Sequence, residues 1–148
     1  KKCFRVARAN PDAAPCVEGD ARMMVGDSCF MVFAQLQTWA SARAQCQSIG
    51  ADLAWADNAG DDQVIRDLRL SLAADPLDTW LGGTDVVTEM EWLWVHSGLP
   101  LTFENWRIGE PNNGGMSGNP EHCMIQELGD HLWDDRPCEW TYWFACRR

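Results

Sequence analysis

Apolar residues recur along this chain in three patterns, and each predicts a different element. From Met23 to Phe33 nearly every residue is apolar, with Gly26-Asp27-Ser28 as the interruption. Two apolar runs joined through a glycine-containing turn predict a β-hairpin. Thr38 then stands where an N-cap belongs. Trp39, Ala42, Cys46 and Ile49 follow at spacings of three and four, so a helix is expected from Trp39 to Ile49, closed by Gly50. A second helix is expected to begin near Asn58, with Asp61 and Asp62 in its first turn, where the helix dipole favours anions. Val64, Ile65, Leu68 and Leu72 supply its buried stripe, and Asp75-Pro76 stops it.

After Trp80 the pattern shortens. Apolar bursts at Trp80-Leu81, Trp92–Val95, Cys123–Ile125, Leu132-Trp133 and Trp140–Phe144 alternate with turn residues and predict short strands. Between them, Gly109 to Pro120 holds four glycines and three asparagines, too polar to pack on its own. Long loops of this kind in compact domains are usually functional or disordered. Residues 1–15, with Pro11, Pro15 and no periodicity, are expected to form a loose leading segment, leaving 16–148 as one domain without internal repeats. Helices early and strands late predict an α+β class rather than a wound parallel sheet.

Composition narrows the partners. A chain of 148 residues, 46% of them hydrophobic, suits one domain with a proper core. Its net charge of −10, from 12 basic and 22 acidic residues, repels phosphate backbones and anionic lipid. Nucleic acid and membrane surfaces are therefore poor partners. No apolar run approaches the roughly 20 residues of a spanning helix, and none follows Lys1-Lys2-Cys3-Phe4 as a signal would. The expectation is a mature, soluble protein without membrane insertion.

Seven cysteines sit at 3, 16, 29, 46, 123, 138 and 146. The closest pair, Cys138 and Cys146, has seven residues between, too far for the tight turns that aim two thiolates at zinc or build a redox Cys-x-x-Cys. Disulfides in an oxidising, extracellular setting are the better account, and counting leaves their connectivity open. The odd cysteine is expected to be Cys3, near a chain end where a second copy can reach it. The nine tryptophans are expected mainly to fill space between irregular loops, with sugar stacking as the alternative for one or two.

Oxygen-bearing side chains cluster at Glu110-Pro111-Asn112, Glu121 and Asp134-Asp135. A hard cation such as calcium takes six to eight oxygens from carboxylates, amides and backbone, and scattered loop positions supply them when crosslinks hold the loops. A solvated acidic surface is the bland alternative.

The order of these features resembles a C-type lectin-like domain, from about Cys16 to Cys146. Thr38-Trp39-Ala40 with Cys46 is similar to the family's first helix, and Trp80-Leu81-Gly82-Gly83 to its Trp-Ile-Gly-Leu signature. Asn105-Trp106, Gly109-Glu110-Pro111-Asn112-Asn113, Cys123, Trp133-Asp134-Asp135, Cys138 and Cys146 follow its binding half in sequence. The resemblance implies an α+β, disulfide-stapled C-type lectin-like fold. It also implies the disulfides Cys46–Cys146, Cys123–Cys138 and, in the long form, Cys16–Cys29. Cys3 then stays free for an intermolecular bond in a homodimer.

Functionally, the resemblance implies a secreted lectin that binds glycans or glycoproteins through Ca²⁺. Glu110, Asn112, Glu121, Asp134 and Asp135 would coordinate the ion. Glu110, Asn112, Glu121 and Asp134 would also hydrogen-bond two vicinal sugar hydroxyls. Pro111 would follow a cis peptide. Glu-Pro-Asn resembles mannose-type members, whereas Gln-Pro-Asp marks galactose-type ones. Feeding, defence, mineral control and immune recognition are all uses that such a lectin serves.

Three departures from the pattern qualify this. Asp134 stands where an asparagine is usual, so one hydroxyl loses its amide donor. Gly114 to Pro120 lengthens the loop before Glu121, where it would either contact a second sugar or simply flex. Asp85 and Glu89 match positions of an auxiliary calcium site, whose ligand set would be Asp85, Glu89, Asn113 and Glu121, but Asn113 and His122 stand where that site usually has acids.

Catalysis finds little support. Gly26-Asp27-Ser28 is similar to an esterase nucleophile block, yet none of His96, His122 or His131 follows an aspartate by three residues. The histidines read as surface or turn residues. Glycoside hydrolysis needs one carboxyl held neutral near pH 7, whereas calcium keeps its ligands ionised. The competing class is a non-sugar-binding protein of the same fold: a biomineral matrix, ice-binding or protein-binding module.

Overall fold

The structure is a computed structural model, and it describes residues 15–115 and 118–148. Cys3 and the rest of residues 1–14 lie outside the described residues, as do Met116 and Ser117 of the long loop.

The expected hairpin is β1 (Ala21–Val25) and β2 (Ser28–Gln37), paired antiparallel with Val25 opposite Ser28. The two-residue connection needs a left-handed first position, which Gly26 supplies at φ 58°. Ser28 is spent on structure: its Oγ accepts hydrogen bonds from the Arg147 guanidinium at 3.1 and 3.3 Å.

Helix α1 (Trp39–Ser48) is capped by Thr38, whose side chain accepts from the Ser41 N–H, and it ends one residue before the expected Ile49. Helix α2 (Ala59–Leu72) is capped by Asn58, which accepts from the Asp61 N–H at 2.9 Å. Asp61 and Asp62 are more than anions at a helix dipole. Both are buried, and Asp61 pairs with Arg147 at 3.0 Å.

The remaining strands are β3 (Asp52–Leu53), β4 (Thr79–Thr84), β5 (Leu93–Trp94), β6 (Leu99–Pro100), β7 (Cys123–Gln126), β8 (Trp133–Arg136) and β9 (Tyr142–Arg147). They form one sheet of order β1-β2-β9-β4-β5-β6, with β3 on β9 and the β7–β8 hairpin on β4. Every pairing is antiparallel except β4 with β9. β3 and β6 are too short for any alternation to reveal, and β6 carries a proline that only an edge position tolerates. The last apolar burst begins its strand at Tyr142, two residues later than its first tryptophan suggests.

Two apolar clusters hold the elements together, one around Trp80, Phe144 and Cys46, the other around Trp133, Trp94 and Ile65. Five of the nine tryptophans are buried. Indole nitrogens of Trp80 and the half-buried Trp39 are used, donating to Gln37 O and Leu81 O at 2.9 Å each, whereas those of Trp92 and Trp94 are buried without a hydrogen-bond partner among the described residues. Gly82 is needed for close approach, because a Cβ there would lie 2.7 Å from the Leu53 carbonyl oxygen.

The disulfides are Cys16–Cys29, Cys46–Cys146 and Cys123–Cys138. Cys46–Cys146 spans a separation of 100 residues and joins α1 to β9. A crosslink of that span removes about 4.7 kcal/mol of denatured-chain entropy in the loop-closure account.

Candidate functional site

The site sits at one end of the β7–β8 hairpin. In that hairpin Met124 faces Asp135 and Ile125 faces Asp134, and Cys123–Cys138 clamps its open end. A preceding segment is laid beside it by backbone bonds: Trp133 N donates to Asn105 O at 2.8 Å and Arg107 N to Trp133 O at 2.9 Å. The chain then turns through a cis Glu110–Pro111 peptide, as the resemblance implies, and folds over the two aspartates.

Asp135 fastens this loop. It is fully buried, and its two oxygens accept from the Asn112 N–H at 3.1 Å and the Asn113 N–H at 2.7 Å. The Asn112 side chain donates to Glu110 Oε1 at 2.9 Å and accepts from the Gly114 N–H at 3.0 Å. Gly114 N–H also reaches Glu121 Oε2 at 3.0 Å, and Glu121 N donates to Asn113 Oδ1 at 3.1 Å. The start of the glycine-rich loop is thus packed back on the site, with Gly114 buried.

Three of the five residues that sequence singled out, Glu110, Asp134 and Asp135, converge; Asn112 is bonded to Glu110 and Asp135, and Glu121 stands beside them through Gly114, outside that tight group. Ligand oxygens of Glu110, Asp134 and Asp135 lie within 4.8 Å of one another. Such crowding has an electrostatic consequence. Burial, reinforced by Asp135 and Asp134, pushes the Glu110 carboxyl up to about 7. Burial and Asp135 also raise Glu121, and burial raises Asp134 against the pull of Arg136. Glu110 Oε2 and Asp134 Oδ1 are buried without a hydrogen-bond partner among the described residues.

Arg136 is the residue sequence reasoning missed. Its guanidinium pairs with Asp134 Oδ2, donates to Asp135 O at 3.1 Å and reaches Glu127 Oε1 at 3.3 Å. Arg107 holds the same Glu127 at 2.9 and 3.0 Å. The signal was present: Asp134 and Arg136 are two apart on a strand and so share a face. Asp134 thereby has one oxygen neutralised by an internal cation and the other left facing the carboxylate cluster.

The second group divides differently. His122 Nδ1 lies 2.9 Å from Asp85 Oδ1 and 3.3 Å from Glu89 Oε2, so the imidazole stands between these acids. Asn113 and Glu121 bond to each other instead. His122 is therefore a partner of acids rather than a bare surface residue. His96 stacks on Trp55 with ring centroids 3.6 Å apart, and His131 contacts Arg69 at the β7–β8 turn.

These features define a disulfide-stapled domain that presents a loop-borne cluster of carboxylate and amide oxygens. The chain belongs to the C-type lectin family: the lectin C-type domain matches residues 35–148. It is 32% identical to ladderlectin of Oncorhynchus mykiss over 114 residues, 76% of this chain and 58% of that protein. It is thus similar to little more than half of ladderlectin's length. It is 29% identical to the galactose-specific lectin nattectin of Thalassophryne nattereri over 123 residues, covering 83% of this chain and 75% of nattectin. Its fold is similar to that of the C-type lectin CEL-I from Cucumaria echinata, with a TM-score of 0.78 over 86% of this chain and 94% of the other, at 20% identity.

Proposed function

We propose that this domain binds carbohydrate through one calcium ion held by Glu110, Asn112, Glu121, Asp134 and Asp135, with mannose-type or related glycans as ligands. The observation that carries the reading is the pair of buried, unpartnered carboxylate oxygens, Glu110 Oε2 and Asp134 Oδ1, inside a cluster of mutually repelling acids. Leaving buried acceptors unsatisfied is costly, and a bound cation removes both the desolvation and the repulsion. The donor set fits a hard cation, since it consists of carboxylate and amide oxygens without sulfur or imidazole.

When bound, calcium supplies open coordination positions for two adjacent sugar hydroxyls. The chain's own residues then choose the sugar. Glu110 accepts a hydroxyl proton, while the Asn112 NH₂, now turned to Glu110 Oε1, donates to a hydroxyl oxygen. Asp134 is an acceptor only and is tied to Arg136, so the second hydroxyl has one amide donor fewer than an asparagine there would give. That weakens monosaccharide binding by about 0.5–1.5 kcal/mol.

The reading is one of binding rather than turnover, because ligated carboxylates stay ionised and do not deliver protons. An extracellular setting follows from three disulfides, and no helix among the described residues is long and apolar enough to cross a membrane. Cys3 is left to join a second copy, and two linked sites would gain avidity on a glycan surface.

A glycan array run in calcium and again in chelator tests the function. Binding of mannose-containing glycans that disappears with chelator is expected. No glycan bound in calcium, or the same glycans bound in chelator, would overturn the reading.

A further inference from the structure

A cleft of about 670 Å³ lies against the site, and Glu110 and Pro111 line it. That volume is within the range of small-molecule sites and exceeds what one sugar hydroxyl pair at Glu110 uses. One part of its wall is apolar: Met90, Trp92, Leu101 and Trp106 line it, and the rings of Trp92 and Trp106 brace each other edge to face at 4.8 Å. Met90 is 58% exposed although apolar, and it is held at φ 67° in the connection after β4. The charged residues in the lining are Glu91, Glu104 and Glu110, all acids.

An apolar wall rimmed by Glu91 and Glu104, which stay free acids when Glu110 holds the ion, selects by charge as well as by hydropathy. A hydrocarbon or aromatic group gains from leaving water there, whereas a carboxylate, sulfate or phosphate meets like charge. We infer that the cleft is a subsite for an apolar aglycone, alkyl or aryl, carried on the glycoconjugate whose sugar lies at Glu110, and that it rejects anionic substituents. The inference rests on the sugar-binding reading above and narrows its substrate class.

The test is titration in calcium with methyl, benzyl and 4-carboxybenzyl α-mannosides, with the corresponding galactosides in parallel. Benzyl mannoside is expected to bind about tenfold tighter than the methyl glycoside, the low end of what hydrocarbon gains in an apolar pocket. The carboxybenzyl glycoside is expected to lose most of that gain. Met90→Asn, a substitution that tolerates a left-handed backbone, should reduce the benzyl advantage and leave methyl mannoside affinity unchanged. Methyl and benzyl glycosides binding equally, or the carboxylate analogue matching the benzyl one, would overturn the subsite while leaving the sugar reading intact. Neither methyl glycoside binding would overturn both.

Discussion

The carboxylate of Asp62, in the first turn of α2, accepts a hydrogen bond from the indole nitrogen of Trp133 at 2.8 Å, and Trp133 immediately precedes Asp134. The same carboxylate accepts from Gln126 Nε2 at 3.0 Å and from Asn105 Nδ2 at 2.8 Å. One buried acid thus ties α2 to β7, to β8 and to the segment leading into Glu110. Burial raises its pKa and these three donors work against that rise. Because every partner is an N–H donor, an amide at this position would turn its own NH₂ toward donors. Asp62→Asn is expected to destabilise the fold by about 1–3 kcal/mol. In a thermal melt that corresponds to a fall of roughly 2–10 °C. An unchanged melting temperature would show that the three bonds contribute nothing net.

Calcium should stabilise the folded chain. The ion is proposed to bind a cluster that exists only when β7–β8 and the Glu110–Gly114 loop are assembled, so it favours the native state by mass action. At a hundredfold excess over its dissociation constant the gain is about 2.7 kcal/mol. Scanning calorimetry with calcium and with chelator measures it directly. Coincident melting curves would contradict the ion assignment.

Much of this architecture is legible in the sequence because its signals are local. Thr38 and Asn58 announce helix starts, and Gly26-Asp27-Ser28 announces a turn. Glu110-Pro111-Asn112 and Trp133-Asp134-Asp135 are short motifs whose residue types already state their chemistry. What escapes is long-range pairing. β3 and β6 are two residues each and exist only because β9 and β5 offer ladders to them. The roles of Asp62 and Arg69 depend on neighbours dozens of residues away. Arg69, fully buried, donates to the carbonyls of Gln126 and Glu127 at 2.7 and 3.0 Å, and nothing in its helix foretells this.

Sugar choice should follow the first and third residues of Glu110-Pro111-Asn112. Exchanging acid and amide, as Glu110→Gln with Asn112→Asp, reverses which group donates and which accepts around the hydroxyl pair. The double variant is expected to weaken mannose binding about tenfold or more, given roughly 1–3 kcal/mol for a mismatched hydrogen-bonded pair. Galactose binding should rise in the same competition assay. An unchanged sugar profile would show that these two residues do not set selectivity.

Acidity should separate the free from the calcium-loaded protein. The folded-state pKa of Glu110, pushed up to about 7, lies above its ordinary value of 4.5. A group raised in this way contributes stability that is complete below the unfolded pKa and is lost as pH rises through the folded one. Between pH 6 and 8 in chelator, Glu110 therefore pulls the melting temperature down as pH rises. His96 and His131 are depressed by burial and act in the opposite sense around their ordinary value of 6.5. The informative quantity is accordingly the difference from Glu110→Gln, which keeps both histidines and removes the acid. In chelator, the gap between the variant and the parent protein should widen from pH 6 to pH 8 in the variant's favour. In calcium the order should reverse, because the ionised carboxylate then has a cation to bind and the amide does not. A pH-independent gap in chelator would mean that Glu110 is not strained by its neighbours, and the same order in both buffers would mean that it does not hold the ion.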